Sequence, residues 1–249
     1  MIKKFSAIIV VIGFFIVWEI LAKAGVLDLQ FVPAFSTVMK ETWKMTKTGE
    51  LPIHVLTSLT RLVVGILSAI ITALPLGFLL AYQCPRLAKF LTPLFVNLSF
   101  VNAFTLIPVF MLILGMGELS KVFIIYWVVL WPALFSTIAG VLNIDPVVIK
   151  AARVMGARGV KLFFSVIIPG CVRRLFMGIK SSISMGFTVL IGAEMLGSKH
   201  GLGFIVFVAQ KNYNIPREYV GILFIAILGV IVSVSLDTIQ KRVVVWKEG

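Results

Sequence analysis

Hydrophobic residues run along this chain in six long blocks separated by shorter polar stretches. The blocks extend from Phe5 to Ala22, Val55 to Tyr82, Ala88 to Leu114, Val122 to Leu142, Leu175 to Met195 and Val220 to Thr238. A helix needs about 20 apolar residues to cross the hydrocarbon core of a bilayer. The pattern therefore predicts an all-α polytopic membrane protein with about six transmembrane helices. It reads as a single domain over residues 1–249, with a first span at 5–22 and a five-span core at 55–240. Ala22-Lys23-Ala24 has the small-residue look of a signal-peptide cleavage site. The apolar run before it exceeds the roughly 7–15 residues of a signal core, so it is read as an uncleaved first span.

Within the blocks, Pro75 falls in the second, Pro93 and Pro108 interrupt the third, and Pro132 falls in the fourth. A proline inside a span frees a backbone carbonyl that neighbouring groups must satisfy. Kinked helices in a bundle are the expectation. Between the first two blocks, Ser36 is placed to cap a short amphipathic helix reaching about Lys47. Phe35, Val38, Met39 and Thr42 would share its apolar side, and such a helix suits the membrane interface. The fifth block is rich in small residues: Gly178, Ser181, Ser182, Ser184, Gly186, Gly192 and Ala193. These allow close helix approach. No internal repeat is visible, which argues against an inverted-repeat secondary transporter.

Composition agrees with this pattern. The chain is 60% hydrophobic and 13% charged, with mean hydropathy +1.09. Soluble domains are about 45–50% apolar and about 25% charged. A soluble enzyme, a disordered chain and a disulfide scaffold are all excluded. The isolated Cys84, Cys171, His54 and His200 form no metal or nucleophile cluster.

A net charge of +13 would suggest nucleic acid in a soluble protein. Placement decides otherwise. With the N-terminus inside, the cytoplasmic side holds Lys3, Lys4, Arg86, Lys89, Lys150, Arg153, Arg158, Lys161, Arg173, Arg174, Lys241, Arg242 and Lys247. The external side holds Lys23, Lys40, Lys44, Lys47, Lys121, Lys199, Lys211 and Arg217. Acids on the inner side are few, Asp145 and Glu248, whereas Asp28, Glu41, Glu50, Glu118 and Glu218 lie outside. This positive-inside bias places both termini in the cytoplasm of a multi-pass bacterial plasma-membrane protein. Membrane lipid, not nucleic acid, accounts for the charge.

Three ionisable residues, Arg61, Lys180 and Glu194, fall inside predicted spans. A charge at the bilayer centre costs about 2.5–3.5 kcal/mol on insertion scales. Lys180 and Glu194 are too far apart on one helix to pair, about 21 Å at 1.5 Å per residue. Each therefore reaches an interface, pairs with another span, or serves a gate or pathway. Asn97, Ser99, Asn102 and Thr105 in the third block, with Ser181, Ser182 and Ser184 in the fifth, are polar as well. Most such residues bond across helices. A minority line a path, and Asn102, Thr105, Lys180, Ser184 and Glu194 are the pathway or gate candidates.

No G-x-x-x-x-G-K-[ST] loop, paired acidic motif or Ser-His-Asp cluster is present, so the chain carries no catalytic residues and binds no cofactor or metal itself. The most informative stretch is cytoplasmic, in the basic loop 143–173. Asp145 is an N-cap, Pro146 opens the first turn, Ala151 and Ala152 leave a bare face, and Gly156 ends the helix. This is a docking helix for a soluble partner.

The same stretch resembles the "EAA" loop of ABC importer permeases, in which Glu-Ala-Ala is followed three residues later by Gly, and later by Ile or Leu with Pro. Ala151, Ala152, Gly156 and Pro169 match at that spacing, while Lys150 stands at the glutamate position. The resemblance extends through Ile107-Pro108, Gly115-x-Gly117-Glu118-x-Ser120-Lys121, Gly178 to Lys180, Ala193-Glu194-Met195 and Gly201-Leu202-Gly203. Those motifs are similar to the subgroup importing aliphatic sulfonates, taurine, nitrate and pyrimidine precursors. Two departures are Val101-Asn102-Ala103-Phe104, which lacks the subgroup's frequent prolines, and Ile113, where tryptophan is common.

The resemblance implies a type I permease fold with a coupling helix. Asp145, Lys150, Ala151, Ala152, Arg153, Gly156, Ala157 and Pro169 would form the ATPase-coupling segment. It also implies a homodimer or paired homologous permease, two cytoplasmic ABC ATPase subunits holding ATP and Mg, and an extracytoplasmic solute-binding protein. The rival reading, a channel or membrane enzyme working without an ATPase, needs no docking helix.

Overall fold

The computed structural model describes the backbone of residues 2–26, 28 and 30–243. Lys247 and Glu248 lie outside the described residues, as do the side chains of Lys3, Lys4, Lys241 and Arg242. Among the described residues every element is helical. Helix α1 (Ile2–Lys23) covers the expected first span, and α2 (Phe35–Lys47) follows. Helix α3 (Glu50–Phe78) continues into a π-helical turn at Leu79–Gln83. Helices α4 (Pro85–Ser99) and α5 (Ala103–Leu114) form a pair bent by 89°. Helix α6 (Glu118–Leu142) leads to the short α7 (Pro146–Val154) and α8 (Gly159–Leu162). A second π-helical turn at Phe163–Ile167 opens α9 (Ile168–Met195), and α10 (Leu202–Lys211) and α11 (Ile215–Val243) complete the chain. Among the described residues four helical stretches are long and apolar enough to cross a membrane, and the bent α4–α5 pair would make a fifth.

The central bundle is α3, α6 and α9, and glycines set its spacing. Gly65 and Gly77 of α3 lie against Ile125 and Thr137 of α6. Gly178 and Gly186 of α9 lie against Ser136 and Val129 of α6. A Cβ at Gly178 would stand 2.1 Å from the Ser136 Cβ, so the two backbones could not approach this closely with any larger residue. Lipid is as apolar as the core, so close van der Waals packing replaces the hydrophobic effect as the force joining helices. A second cluster of buried side chains joins Val38 and Met45 of α2 to Leu51, Leu202, Ile205, Val220 and Leu228 at the end of the bundle away from α7.

The structure departs from the expected elements in four places. The third block breaks at Phe100–Asn102, not at its prolines. Pro93 and Pro108 remain inside α4 and α5, and Asn102 accepts a hydrogen bond from the Phe104 N–H at 2.9 Å to start α5. An asparagine free to cap a new helix is a stronger terminator here than a proline whose lost bond the bundle tolerates.

Ser36 does not cap α2. Ala34 occupies the N-cap position, and Glu19 of α1 accepts from the Ser36 N–H at 2.9 Å. The apolar side of α2 meets protein, with Val38 and Met45 buried. The loop 143–173 is largely helical: the fifth span begins near Gly159, and Pro169 enters α9 behind the π-helical turn. Finally, the polar stretch before the last block contains α10, whose inner face holds Leu202, Gly203, Ile205 and Ala209.

Overpacking a tight site costs about 1–3 kcal/mol. Gly178→Ala is therefore expected to lower the melting temperature of the detergent-purified protein. Gly117→Ala, where a Cβ meets nothing within 4 Å, should leave it within error. Equal melting of the two variants would contradict the packing described.

Candidate functional site

Three regions carry the chemistry. The first is the short helix α7. The Asp145 carboxylate accepts from the Val147 N–H at 2.8 Å, and Pro146 sits in the first turn, where its missing N–H is no loss. Gly156 adopts φ +87°, the left-handed conformation that ends the helix. No residue of α7 is buried, although Ile149 packs partly against the main core. Ala157, just beyond the helix, is tucked in. Lys150, Ala151 and Arg153 are exposed, and so are the apolar Val147, Val148, Val154 and Met155. Val154 and Met155 are 89% and 85% exposed.

The second region is a cavity of about 660 Å³ beside the α4–α5 break. Ser99 to Phe104 form one wall, the middle of α6 around Trp127 and Trp131 a second, and Met185, Thr188 and Val189 of α9 a third. Of the pathway candidates, Asn102 lines this cavity. Ser184 does not line it, but it is exposed one helical turn from Thr188 on the same side of α9. Ser181, Ser184, Met185 and Thr188 make an open stripe at helical spacing, while Ser182, Gly186 and Val189 turn toward α6. The small residues of α9 thus divide into a packing side and an open polar side. Thr105 is exposed on α5 outside the lining. Lys180 is half-exposed and forms an ion pair with Asp237 of α11, which is the interhelical partner it required.

The third region is a buried polar network at the opposite end of the bundle from α7. Arg61 of α3 is 3% exposed and Glu194 of α9 fully enclosed. Their Nη1–Oε1 distance is 2.8 Å. The same Arg61 Nη1 donates to the His200 carbonyl at 2.7 Å, while Nη2 donates to Glu118 Oε1 at 2.7 Å. Ser58 Oγ donates to Glu194 Oε1 at 2.7 Å and accepts from the Leu202 N–H at 2.8 Å. The Gly203 N–H donates to Glu194 Oε2 at 3.0 Å, and the Gly201 N–H donates to His54 Nδ1 at 2.8 Å. Together these satisfy three free N–H groups at the start of α10, those of Gly201, Leu202 and Gly203.

Gly201 sits at φ +128°, and a Cβ there would lie 2.3 Å from the Glu194 Cδ. Sequence motifs far apart in the chain, around Glu118, Glu194 and Gly201, therefore meet in one place. His54 and Ser58, which carry no motif, were not among the expected site residues. Their spacing of four on α3, in register with Arg61, is the one signal of a shared polar face.

A helical membrane bundle with a capped, uncovered short helix at one end and an open polar face in its middle has the form of a membrane transport subunit. The chain belongs to the family described as binding-protein-dependent transport system inner membrane component, which matches residues 73–245. A probable ABC transporter permease of Brucella abortus (strain 2308) is 28% identical over 232 residues, covering 93% of this chain and 91% of that protein. The taurine transport system permease protein TauC of Escherichia coli (strain K12) is 28% identical over 193 residues, covering 78% and 70%. A chain of the MetNI methionine ABC transporter in inward-facing conformations superposes with a TM-score of 0.68 at 19% identity, over 80% of this chain and 98% of that one. The fold is that of type I importer permeases, and the protein is an ABC importer permease subunit, a transport component and not an enzyme. The reading as an ATPase-independent channel or enzyme is set aside by this membership.

Removing one partner of a buried ion pair costs about 3–5 kcal/mol, because the other charge is left uncompensated. Arg61→Met should therefore lower thermal stability sharply. Glu118→Gln should lower it less, since the Glu118 side chain is 64% exposed and Arg61 keeps Glu194. Thermal denaturation of the two variants side by side checks the ranking.

Proposed function

We propose that two copies of this chain form the pathway of an importer for a small polar or anionic solute of the sulfonate, taurine, nitrate or pyrimidine-precursor type. In this reading each copy carries one α7 into a groove on a cytoplasmic ABC ATPase. ATP and its Mg are held by those partners, with none bound by this chain. A solute-binding protein delivers cargo to the external face, where α10 and the Arg61 network lie. Closure of the ATPases moves α7 and switches the pathway between inward- and outward-facing states. Asp145, Lys150, Ala151, Ala152, Arg153, Gly156, Ala157 and Pro169 form and orient the coupling segment. Asn102 and Ser184 belong to the pathway face, with Thr105 beside it. Lys180 and Glu194 act on the pathway indirectly, by holding α9 to α11 and to α3.

The observation that carries this reading is the uncovered apolar side of α7. Val154 and Met155 stand beside a lysine, an alanine and an arginine that are also exposed, on a helix anchored by Ile149. Exposure makes the test clean, because Val154→Asp removes no packing inside the subunit. Val154→Asp should abolish ATPase co-purification and uptake while the permease still folds and inserts. Lys150→Glu should preserve co-purification, since the helix shape survives it. Co-purification that is indifferent to Val154→Asp would sink the docking role.

The topology has its own test. Cys84, in the turn before α4, is exposed, and Cys171 is 1% exposed. With both termini in the cytoplasm, a membrane-impermeant maleimide should label Cys84 in inside-out vesicles and leave it unlabelled in intact cells. Labelling from outside would invert the topology.

A further inference from the structure

The two histidines of the chain meet at the α10 end of the bundle, with 5.5 Å between the ring centroids of His54 and His200. Their settings differ. His200, in the turn before α10, is exposed. His54, on α3, is 4% exposed and stacks on Phe204 of α10.

One hydrogen bond fixes the form of the buried ring. The Gly201 N–H donates to His54 Nδ1 at 2.8 Å. Nδ1 accepts only when it carries no proton, so the proton of the neutral ring sits on Nε2. His54 Nε2 lies 3.7 Å from Glu50 Oε1, and Glu50 is paired with Arg217 of α11. An imidazolium carries a proton on both nitrogens and accepts at neither. Its Nδ1–H would face the Gly201 N–H, donor against donor.

The neighbouring groups are committed elsewhere. On α3, Glu50 lies on the Nε2 side, and the Ser58 hydroxyl is taken up by Glu194 and the Leu202 N–H. On α9, Glu194 is held by Arg61, Ser58 and the Gly203 N–H. Arg217 faces His54 from α11 and His200 faces it from the turn, two groups that do not accept a proton from it while charged. Glu118 and Lys121 of α6 pair around Arg61. Helix α2 brings apolar Val38 and Met45 to this end and keeps its lysines exposed. Gly201 itself is wedged, because an ideal Cβ there would lie 2.3 Å from the Glu194 Cδ. Its N–H cannot turn to another acceptor while α10 stays docked.

We propose that His54 is a proton-operated latch on the turn between α9 and α10. The neutral ring holds the Gly201 N–H. A proton from water, taken up by the Nδ1 lone pair, breaks that bond and releases the turn and the start of α10. The latch involves neither α7 nor the open side of α9, so it operates whichever solute the pathway carries.

Hydrogen exchange read by mass spectrometry on the full chain in nanodiscs tests this. The released turn binds one more proton than the latched one, so protection is full at high pH and lost as pH falls. For a released imidazole of ordinary value about 6.5, protection of the Gly201 to Gly203 amides, corrected for intrinsic rates, should fall about tenfold from about pH 7.5 to about pH 5.5. His54→Asn sets an amide oxygen near the place of Nδ1 and takes up no proton. It should keep the protection and abolish the pH dependence. His200→Asn should respond to pH as the unaltered chain does. With two histidines in the chain, these variants divide the imidazole response between them. Protection indifferent to pH, a response that survives His54→Asn, or one lost with His200→Asn would overturn the proposal. If His54→Asn does not fold, His200→Asn still decides the matter, because His54 is then its one imidazole. Its nitrogen-15 spectrum at neutral pH should show the proton on Nε2, and a proton on Nδ1 would overturn the latch.

Discussion

A single guanidinium organises one end of this molecule. Arg61 projects from α3 into a site where it is 3% exposed, and it reaches Glu194 on α9, Glu118 at the start of α6 and the His200 carbonyl before α10. Its planar fork is suited to holding several oxygens at fixed angles, which a lysine could not do. Burying it demands nearby carboxylates, and burying Glu194 in turn demands Ser58 and the Gly203 N–H. Gly201 and Gly203 follow from the same requirement, because a Cβ at either would collide with Glu194 or the Ile191 carbonyl. Buried polar groups left without partners are costly, so Arg61 and Glu194 must be satisfied together.

The consequence is a division of labour along the membrane normal. At the Arg61 end, polar groups are paired and the short helix α10 is pinned to α3 and α9. In the middle, glycines bring α3, α6 and α9 into contact and leave the other side of α9 open and hydroxylated. At the α7 end, a short capped helix stands clear of the bundle with apolar residues uncovered. A subunit tight on one side, open along its centre and exposed at a projecting lever is arranged to be completed by other chains. That arrangement suits a transport component, which works through the surfaces it presents.

Much of this was legible from local pattern. The long apolar blocks marked the spans because membrane crossing needs a minimum length of apolar residues, and all but one of the blocks recur as helices at nearly the expected positions. Asp145, Pro146 and Gly156 announced α7 because capping depends on residues a few positions apart. What failed was also local. Prolines drew the expected break in the third block, whereas Asn102 made it. Ser36 looked like a cap, whereas Glu19 from another helix supplied the acceptor. The basic residues after 158 suggested a loop, whereas the helix simply continued out of the bundle.

The residues of the buried network lay in view as separate charges and separate glycine motifs, and nothing in their order joined Arg61 to Glu194, 133 positions away. Partner choice across such distances depends on which helices are neighbours and how they are rotated. That is settled by the packing of Gly178 on Ser136 and its like, not by any local propensity. The same rotation placed Ser184 and Thr188 on an open side and Ser182 on a closed one, although all three look alike along the chain. Amino-acid order alone determined the number and length of the apolar blocks, the charge bias and the capped helix α7, because each is a matter of composition or short spacing. Helix packing determined which polar groups are paired, which are left free, and therefore which chemistry the central cavity can accept.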